Sequence, residues 1–488
     1  MVAPILDRSI GTPCVLALRH VPRGIHRGHL PDRPLDVFSR VLVANRGEIA
    51  VRVIRALHEL GIEAVAVYST ADRGALHLEL ADQTVCIGPP PAGQSYLSIP
   101  NVVAAAETTG CDALHPGYGF LAENPAFVRA CEESSIVFIG PAADVMERMG
   151  DKIRAKAELR AAGVPLVPGT EGTAELDEIR VAAGEIGYPV LLKAAAGGGG
   201  KGMRRVTTGD ELERAFQAAS AEAESAFGDG SLYLEKVVSP ARHVEIQVLC
   251  DGQGGVLTMG ERECSIQRRH QKLIEESPSA ALDETTREEM ESVVEHACHA
   301  IGYRNAGTFE FLLAPEGAFH FIEVNCRLQV EHPVTELVTG IDIVREQVRI
   351  AAGEPLEATG RAPRRGHALE IRINAEDPAR GFAPAPGRMT RFVPPLGAGV
   401  RVDTALRDGS EIPPYYDSLI AKLAVWDETR PLALSRAIRA LGELVVEGVP
   451  TTRELALDVL ASLPFTSGDY STSTLSELEG RVPSLAAS

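Results

Sequence analysis

Hydrophobic residues in the first third of the chain alternate between short apolar runs and helical spacing. Residues 40–44 form an apolar run, helical spacing follows, and residues 64–68 form a second run. This order predicts a βαβ unit. Further apolar runs at 84–87 and 136–139 extend it into a doubly wound, Rossmann-like α/β domain over residues 37–150.

The apolar pattern changes after residue 150. Residues 151–240 contain helical stretches, two strand-like runs and a glycine run, which predicts a small mobile lid. Residues 241–366 contain long strands with alternating faces, interrupted by a helix, and predict a core domain. Residues 367–488 open on a further alternating strand, HALEIRIN, and close with helices, so we expect a C-terminal domain and a mixed α/β and α+β architecture overall.

The first 36 residues differ from the rest, being rich in Arg, His and Pro and poor in acids. They somewhat resemble an organellar transit peptide. The segment VFSRVLVANRGEIA, from Val37, looks like a natural opening of a protein, and valine can be encoded by GTG, a bacterial start codon. We hypothesise that translation begins at Val37 and that 1–36 is an extension, disordered or artefactual; native residues before 37 in N-terminal sequencing would contradict this.

Charge and composition narrow the function classes. The chain carries 48 basic and 67 acidic side chains, a formal charge of −19, which argues against a nucleic-acid partner because phosphate backbones need a basic face. No apolar run approaches the roughly 18 to 20 residues of a membrane span. The eight cysteines are scattered without a CxxC pair, which favours reduced thiols and a cytoplasmic location.

A glycine run after the first lid strand predicts a phosphate-binding loop. The segment KAAAGGGGKGM, 193–203, places Lys193 at a strand end before four glycines, so that bare backbone can close over phosphates while ammonium groups neutralise them. It is not a Walker motif, because Gly202 follows Lys201. A flexible linker is the alternative.

Two glutamates predict a metal site. If Glu316 and Gly317 form a two-residue hairpin turn, Glu310 lies directly opposite Glu323. Facing like charges destabilise a strand pair unless a cation lies between them, which predicts Mg²⁺ or Mn²⁺. A solvated surface position is the alternative for either glutamate alone.

Alternation assigns faces to the strands around these acids. It places Asn325, Arg327 and Gln329 on the face of Glu323, and it directs Ile322, Val324, Cys326 and Leu328 into the core. In HALEIRIN it places Glu370, Arg372 and Asn374 opposite Leu369, Ile371 and Ile373.

A basic run, QRRHQK at 267–272, suggests an anion pocket. In an extended chain Arg268, His270 and Lys272 share a face, which suits phosphate or bicarbonate. A solvated face or an ion-pair partner is the alternative. The segment HPGYGFLAEN, 115–124, predicts a tight loop around Tyr118.

Taken together, these motifs closely resemble the biotin carboxylases of the ATP-grasp superfamily. The motifs are ANRGEIA, HPGYGFLAEN, MGDK, KAAAGGGGKGM, RHVEIQV, ERECSIQRRHQK, GTFEFL, FIEVNCRLQVEHPVTE and RINAEDP, in unbroken order from about residue 37 nearly to the C-terminus. RRHQK and QVEHPVTE are specific to the biotin-dependent branch. The resemblance implies an ATP-grasp fold with a mobile glycine-rich lid and a C-terminal biotin carboxylase domain.

The resemblance also implies where ATP and the metal bind. Lys152, Lys193 and His243 attend the phosphates and sugar, 235–238 holds the adenine edge, and the glycine loop closes as a lid. The full set of implied ATP-binding residues is Lys152, Lys193, Gly197, Gly198, Gly199, Gly200, Glu235, Lys236, Val238, His243, Gln267, His270, Glu310, Leu312 and Glu323. Glu310, Glu323 and Asn325 match the metal-binding positions, for a pair of Mg²⁺ or Mn²⁺ ions.

For bicarbonate and biotin the resemblance implies a second set. Glu331 is the base that deprotonates bicarbonate, which then attacks the γ-phosphate to give carboxyphosphate. Arg372 stabilises the enolate-like biotin that takes up CO₂. The set is Tyr118, Lys272, Arg327, Gln329, Val330, Glu331 and Arg372, of which Lys272, Arg327, Glu331 and Arg372 are catalytic.

Three departures from the family pattern are Ala195–Ala196 for Ser-Gly, Lys201 for arginine and Cys326 for threonine. None removes a charged site group, so activity is expected. The chain contains no Met-Lys dipeptide of the biotinylated kind. We therefore expect a separate biotin carboxyl carrier protein, carboxyltransferase subunits and a homodimer, in a carboxylase for acetyl-CoA or another acyl-CoA.

Two alternatives remain open. An ATP-grasp ligase that joins a carboxylate to an amine has the same lid and metal acids, but it does not need QRRHQK together with RLQVEH. A degenerate nucleotide-binding scaffold predicts the loss of a charged site group. The final carboxyl acceptor is not determined by this chain.

Overall fold

The computed structural model describes residues 37–195, 202–269 and 271–478. The first unit is a parallel five-stranded sheet in the order β3-β2-β1-β4-β5, flanked by helices. This confirms the βαβ prediction, and the pattern missed only the short β4. The elements are β1 Arg40–Val43, α1 Gly47–Glu59, β2 Glu63–Ser69, α2 Leu76–Leu80, β3 Gln83–Gly88, α3 Ile99–Thr109, β4 Ala113–His115, α4 Pro125–Glu133, β5 Val137–Phe138 and α5 Ala143–Gly150.

The strand order reverses between β1 and β4, and the loops that follow these two strands meet. Asn45, after β1, donates to the carbonyl oxygens of Pro116 and Tyr118, after β4, at 2.7 Å each. Crevices at such a reversal are the usual ligand sites of open α/β sheets. This junction places the loop of Tyr118 at the edge of the site described below.

The lid has an apolar core of its own. A three-stranded antiparallel sheet, β7-β6-β8, packs against two helices around Ile179, Leu192, Leu212 and Leu234. The glycine loop, 196–201, lies outside the described residues. The elements are α6 Lys152–Ala161, α7 Leu176–Ile186, β6 Val190–Ala194, β7 Met203–Val206, α8 Gly209–Phe227 and β8 Leu232–Lys236.

A nine-stranded sheet forms the body of the molecule. Its order is β13-β12-β9-β10-β11-β15-β22-β20, with β14 paired to β10. The expected boundary at residue 367 falls inside this sheet, because β11 pairs with β15. The elements are β9 Arg242–Cys250, β10 Val256–Arg268, β11 Gln271–Ser277, α9 Glu284–Ile301, β12 Asn305–Leu313, β13 Phe319–Asn325, α10 His332–Thr339, α11 Ile343–Ala351, β14 Gly360–Arg361 and β15 His367–Asn374.

The C-terminal segments pack on the far end of this sheet around a second apolar core that includes Ile371, Leu423 and Leu441. The elements are β16 Glu376–Asp377, β17 Ala383–Pro384, β18 Gly387–Arg388, β19 Arg391–Val393, β20 Val400–Thr404, β21 Glu411–Ile412, β22 Leu419–Asp427, α12 Arg430–Glu443, β23 Val445–Glu447, α13 Arg453–Ala461, α14 Leu463–Ser467 and α15 Thr474–Leu478. No helix among the described residues is long and apolar enough to span a bilayer.

Candidate active site

Four charged residues form a row across the sheet. Glu323, Glu310, Glu245 and Arg262 are direct neighbours in register on β13, β12, β9 and β10. The expected pairing of Glu310 with Glu323 is therefore confirmed. Three acids in succession need compensating cations, since facing like charges repel.

The turn that leads to this register differs from the predicted one. Ala314 closes the hairpin on Ala318, with Pro315, Glu316 and Gly317 between them, so the loop has three residues rather than two. An irregularity between Phe311 and Glu310 restores the register. The prediction of Ile322 as a core residue is wrong for the same reason: a β-bulge moves it out of the cluster that holds Phe321, Val324 and Cys326.

The pKa values of the two facing glutamates shift in opposite directions. Burial and then the charge of Glu310 raise the pKa of Glu323. For Glu310 burial is outweighed by Lys272 and His243, which hold its pKa well below the usual range. His243 Nε2 lies 2.9 Å from one Glu310 oxygen, and Asn325 donates to the other at 2.9 Å.

These side chains fit a hard divalent cation. The two carboxylates supply the oxygen ligands that Mg²⁺ and Mn²⁺ prefer. Ligand atoms of His243, Glu245 and Glu310 lie within 4.8 Å of one another. The Asn325 side-chain oxygen accepts from Arg327 at 3.1 Å, so a metal ligated by this amide competes with the arginine.

Lys272 occupies the centre of the site. Its Nζ lies 2.5 Å from Glu245, 3.0 Å from Glu310 and 2.6 Å from Glu331. Although burial opposes it, these three carboxylates raise the pKa of Lys272 well above its ordinary value. Lys272 is therefore a permanent cation.

The prediction that Arg268, His270 and Lys272 share one extended face is wrong. β10 ends at Arg268 and β11 begins at Gln271, so the basic run spans a hairpin in which Gln267 pairs with Lys272. Arg268 stacks over Phe382, 3.9 Å from its ring centre. Lys272 joins the acids, and His270 lies outside the described residues.

Glu331 is held between two cations. One of its oxygens contacts Lys272, and the other accepts from Arg372 Nη2 at 2.9 Å. Burial opposes ionisation, but Lys272, Arg372 and Arg262 lower the pKa of Glu331 well below the usual range. Its side chain is completely buried, yet it is a carboxylate at neutral pH.

Arg372 is fixed from its other side by Glu275. Its Nε donates to Glu275 at 2.6 Å, and the alternation predicted for its strand is confirmed, with Leu369, Ile371 and Ile373 in the core. Burial raises the pKa of Glu275 to about 7.

Arg327 and Gln329 lie beyond the end of β13 and still reach the site. Arg327 donates to Asn325 and, at 3.0 Å, to Gln329. Glu123, from the loop before α4, accepts from Arg327 Nε and from the Cys326 backbone, at 2.7 Å each. Cys326 is buried in the core, as predicted.

The predicted nucleotide residues gather on the lid side. Lys193 Nζ lies 2.5 Å from Glu235, which Lys156 also contacts. Burial, followed by the charge of Lys152, lowers the pKa of Lys193 to about 8. Lys236 instead donates to backbone carbonyls of 187–188, so its side chain joins two segments within the lid.

Of the remaining predicted residues, Leu312 pairs with His243 across β12 and β9, and Val238 is part-buried after β8. Gly197, Gly198, Gly199 and Gly200 lie outside the described residues. Tyr118 donates to Glu48, and Lys422 links Glu48 to the carbonyl oxygen of Val330.

The sequence pattern did not predict the charged residues that pair with the site residues and fix their positions. Arg262 is fully buried and donates to Glu245 at 2.5 Å. The missed set is Glu48, Glu123, Lys156, Glu245, Arg262, Glu275 and Lys422. The available signal was charge at inward-facing strand positions, as in HVEIQV and ERECS.

Three family models match the chain. They are "Biotin carboxylase, N-terminal domain" at residues 37–146, "Carbamoyl-phosphate synthase L chain, ATP binding domain" at 151–359 and "Biotin carboxylase C-terminal domain" at 370–477.

Named proteins are similar over nearly their whole length. The chain is 51% identical to the biotin carboxylase of Nostoc sp., covering 90% of this chain and 99% of that one. It is 53% identical to that of Pseudomonas aeruginosa, covering 88% and 96%.

Solved structures are similar as well. A Campylobacter jejuni biotin carboxylase–β,γ-ATP complex has a TM-score of 0.87 at 47% identity, over 90% of this chain and 99% of that one. The biotin carboxylase domain dimer of Hydrogenobacter thermophilus 2-oxoglutarate carboxylase, with MgADP, ADP and bicarbonate, has a TM-score of 0.87 at 48% identity, over 91% and 98%.

Proposed function

This chain belongs to the biotin carboxylase family, and from that premise we propose how its own side chains divide the reaction. It is an ATP-dependent ligase with the ATP-grasp fold that carboxylates biotin with bicarbonate, and it uses ATP and Mg²⁺. Lys152, Lys193 and His243 bind the phosphates, and Glu310, Glu323 and Asn325 hold the metal. When bound, Mg²⁺ neutralises charge on the transferring phosphoryl group.

Glu331, just before α10, acts as the general base. It is ionised although buried, and Lys272 and Arg372 fix both of its oxygens. It removes the bicarbonate proton, and the resulting oxyanion attacks the γ-phosphorus and releases ADP. Lys272 and Arg327 stabilise the carboxyphosphate, which breaks down to CO₂ and phosphate.

The biotin subsite lies where Arg372, Tyr118, Gln329 and Val330 meet. The ureido nitrogen of biotin gives its proton to the phosphate released from carboxyphosphate, and negative charge develops on the ureido oxygen. The Arg372 guanidinium, aligned by Glu275, stabilises that charge while the nitrogen attacks CO₂. The single observation that carries this assignment is Glu331 bonded to Lys272 on one side and Arg372 on the other.

The lid excludes water while carboxyphosphate exists. It has a separate apolar core, so it can close as a unit. We also propose a division into 37–150, 151–240, 241–366 and 367–488. The spans of the matching family models support the boundaries near 150 and 367, and the separate apolar core of the lid supports the one near 240.

Biotin arrives on a separate carrier protein, and a carboxyltransferase consumes the product for acetyl-CoA or another acyl-CoA. The enzyme acts as a homodimer, which the dimeric domain from H. thermophilus supports. The cytoplasm is its location, because the seven described cysteines form no disulfide among themselves.

A bicarbonate-dependent ATPase assay with and without free biotin tests the proposal. Wild type should hydrolyse ATP only with bicarbonate, and biotin should stimulate it. Glu331→Gln should lose about 10²-fold or more in both conditions, whereas Arg372→Ala should lose the biotin stimulation selectively. Turnover with an amine in place of biotin contradicts the proposal and favours the ligase alternative.

A further inference from the structure

A buried lysine lies directly opposite Arg372 and has no part in the steps above. Lys422, on β22, is the register partner of Arg372 on β15, so the two cations share one face of the sheet. Its side chain is 0% exposed. An ammonium group buried in this way needs specific acceptors.

The two cations hold adjacent residues of the active-site turn. Arg372 binds the Glu331 carboxylate, and Lys422 Nζ donates to the backbone carbonyl of Val330 at 2.9 Å. The turn leads directly into α10, which begins at His332. Its two central residues are therefore fixed by neighbouring positions on β15 and β22.

Lys422 also reaches the opposite wall of the site. Its Nζ lies 3.1 Å from Glu48 on α1, and Glu48 accepts the hydroxyl hydrogen bond of Tyr118. The chain Tyr118–Glu48–Lys422–Val330 thus joins the first domain, the core and the C-terminal segments. Both of its ends are residues of the proposed biotin subsite.

The surrounding acids balance the charge. Asp403 lies 3.9 Å from Lys422 and is ionised, because Arg401 and Lys422 outweigh burial and lower its pKa to about 2. Lys422 is therefore paired with acids of the protein itself. Besides these acids, Lys422 contacts the carbonyl oxygen of Val330 through a hydrogen bond.

We propose that Lys422 is a positioning residue for biotin: through Val330 and through Glu48 it sets the distance between the two walls of the biotin subsite. This rests on the proposed function. Glu331 keeps its own contacts with Lys272 and Arg372 when Lys422 is removed. Carboxyphosphate formation should therefore survive a change that impairs biotin binding.

The test compares Lys422→Met, Glu48→Gln and the double variant in the full-length enzyme, using free biotin. Met keeps the length of the lysine stem without its charge. Loss of a charged hydrogen bond predicts that the KM for biotin rises about tenfold or more in Lys422→Met. Bicarbonate-dependent ATP hydrolysis without biotin should remain unchanged.

The double variant separates positioning from stability. Lys422→Met leaves Glu48 buried without its cation, and the added Glu48→Gln removes that charge, so the melting temperature should recover in part. The KM for biotin should stay raised. If the KM returns to the wild-type value along with the melting temperature, Lys422 is only a structural residue and the proposal is wrong.

Arg430→Met is the matched control. Arg430 is a part-buried cation of the C-terminal segments, paired with Glu276 at 2.8 Å and with the carbonyl oxygens of Phe465 and Thr466 rather than with the biotin subsite. It should lower the melting temperature with the KM for biotin unchanged. If Lys422→Met does not fold, Glu48→Gln alone decides, and a wild-type KM for biotin in it overturns the proposal. Wild-type enzyme that fails to carboxylate biotin refutes the proposed function instead.

Discussion

Glu310 and Glu323 face each other across β12 and β13, yet their acidities diverge. Lys272 and His243 outweigh burial and keep Glu310 ionised, while burial and the charge of Glu310 raise the pKa of Glu323. Lys152 and His243 also lower the pKa of Glu323, but they do not outweigh burial and the charge of Glu310. A divalent cation bound at Glu323 would supply the remaining compensation.

Glu323→Gln should therefore weaken metal binding more than it weakens the fold. We expect Mn²⁺ affinity, measured by electron paramagnetic resonance, to fall markedly and kcat to fall about 10²-fold. Glu316→Gln, in the exposed turn of the same hairpin, is the control and should change neither. Unchanged Mn²⁺ affinity in Glu323→Gln contradicts a metal site at this pair.

Glu275 should give the enzyme a pH dependence near neutrality. Its folded-state pKa, about 7, is raised above the ordinary 4.5, chiefly by burial. Its stabilising contribution is therefore complete below 4.5 and is lost as the pH rises through 7. Glu275→Gln, which keeps an acceptor for Arg372, should lose less stability than wild type between pH 5 and 8.

Urea unfolding at pH 5 and pH 8 measures the effect of Glu275→Gln, with Glu132→Gln on the surface as the control. Equal pH dependence of the unfolding free energy in wild type and Glu275→Gln would contradict a neutral Glu275 in the fold.

His115 should make the first domain labile to mild acid. Burial lowers its pKa from 6.5 to about 3, so the unfolded chain takes up a proton below pH 6.5 that the folded chain refuses. Stability then falls as the pH drops from 6.5 towards 3, by up to about 1.4 kcal/mol per pH unit. His115→Asn, which keeps an acceptor for the Gly117 amide, should show a smaller decrease.

Chemical unfolding at pH 7 and pH 5.5 tests this. His77, also buried and with a pKa lowered to about 4, remains in the variant, so the pH effect should shrink rather than vanish. If the unfolding free energy of His115→Asn falls between pH 7 and pH 5.5 as much as that of wild type, His115 is not the source of the acid lability.

Glu123 should contribute only modestly to the binding of bicarbonate. It holds Arg327 at 2.7 Å, but its side chain is 38% exposed, so solvent weakens the ion pair. Glu123→Gln should raise the KM for bicarbonate about threefold, with the KM for ATP unchanged. A large loss of ATP affinity would show instead that Glu123 supports the nucleotide side.

The sequence pattern predicted the order of elements and the pairing of Glu310 with Glu323, but not the route to that pairing. A one-residue error at the turn was cancelled by a one-residue bulge near Ile322. Local alternation contains no signal for such irregularities, which depend on how β13 fits against the core.

The missed residues share a different cause. Glu245 and Lys422 are single charges inside apolar strands, and Arg262 is flanked by two glutamates. The role of each depends on partners on other strands, which local sequence does not show. Arg262 and Glu245 are 17 residues apart. The hairpin at Arg268–Gln271 was missed because its basic residues show no turn composition.

The continuous sheet from β13 to β22 has an evolutionary consequence. Neighbouring strands lie about 4.8 Å apart. The hydrogen-bonded strands therefore set the distance from Glu310 and Glu323, on β12 and β13, to Arg372 on β15. Inserting or deleting a strand between them would shift the site of CO₂ release relative to the biotin subsite by one strand spacing. Sequence and length differences among relatives should therefore concentrate in connecting loops and outer helices, while the number of strands between these residues stays constant.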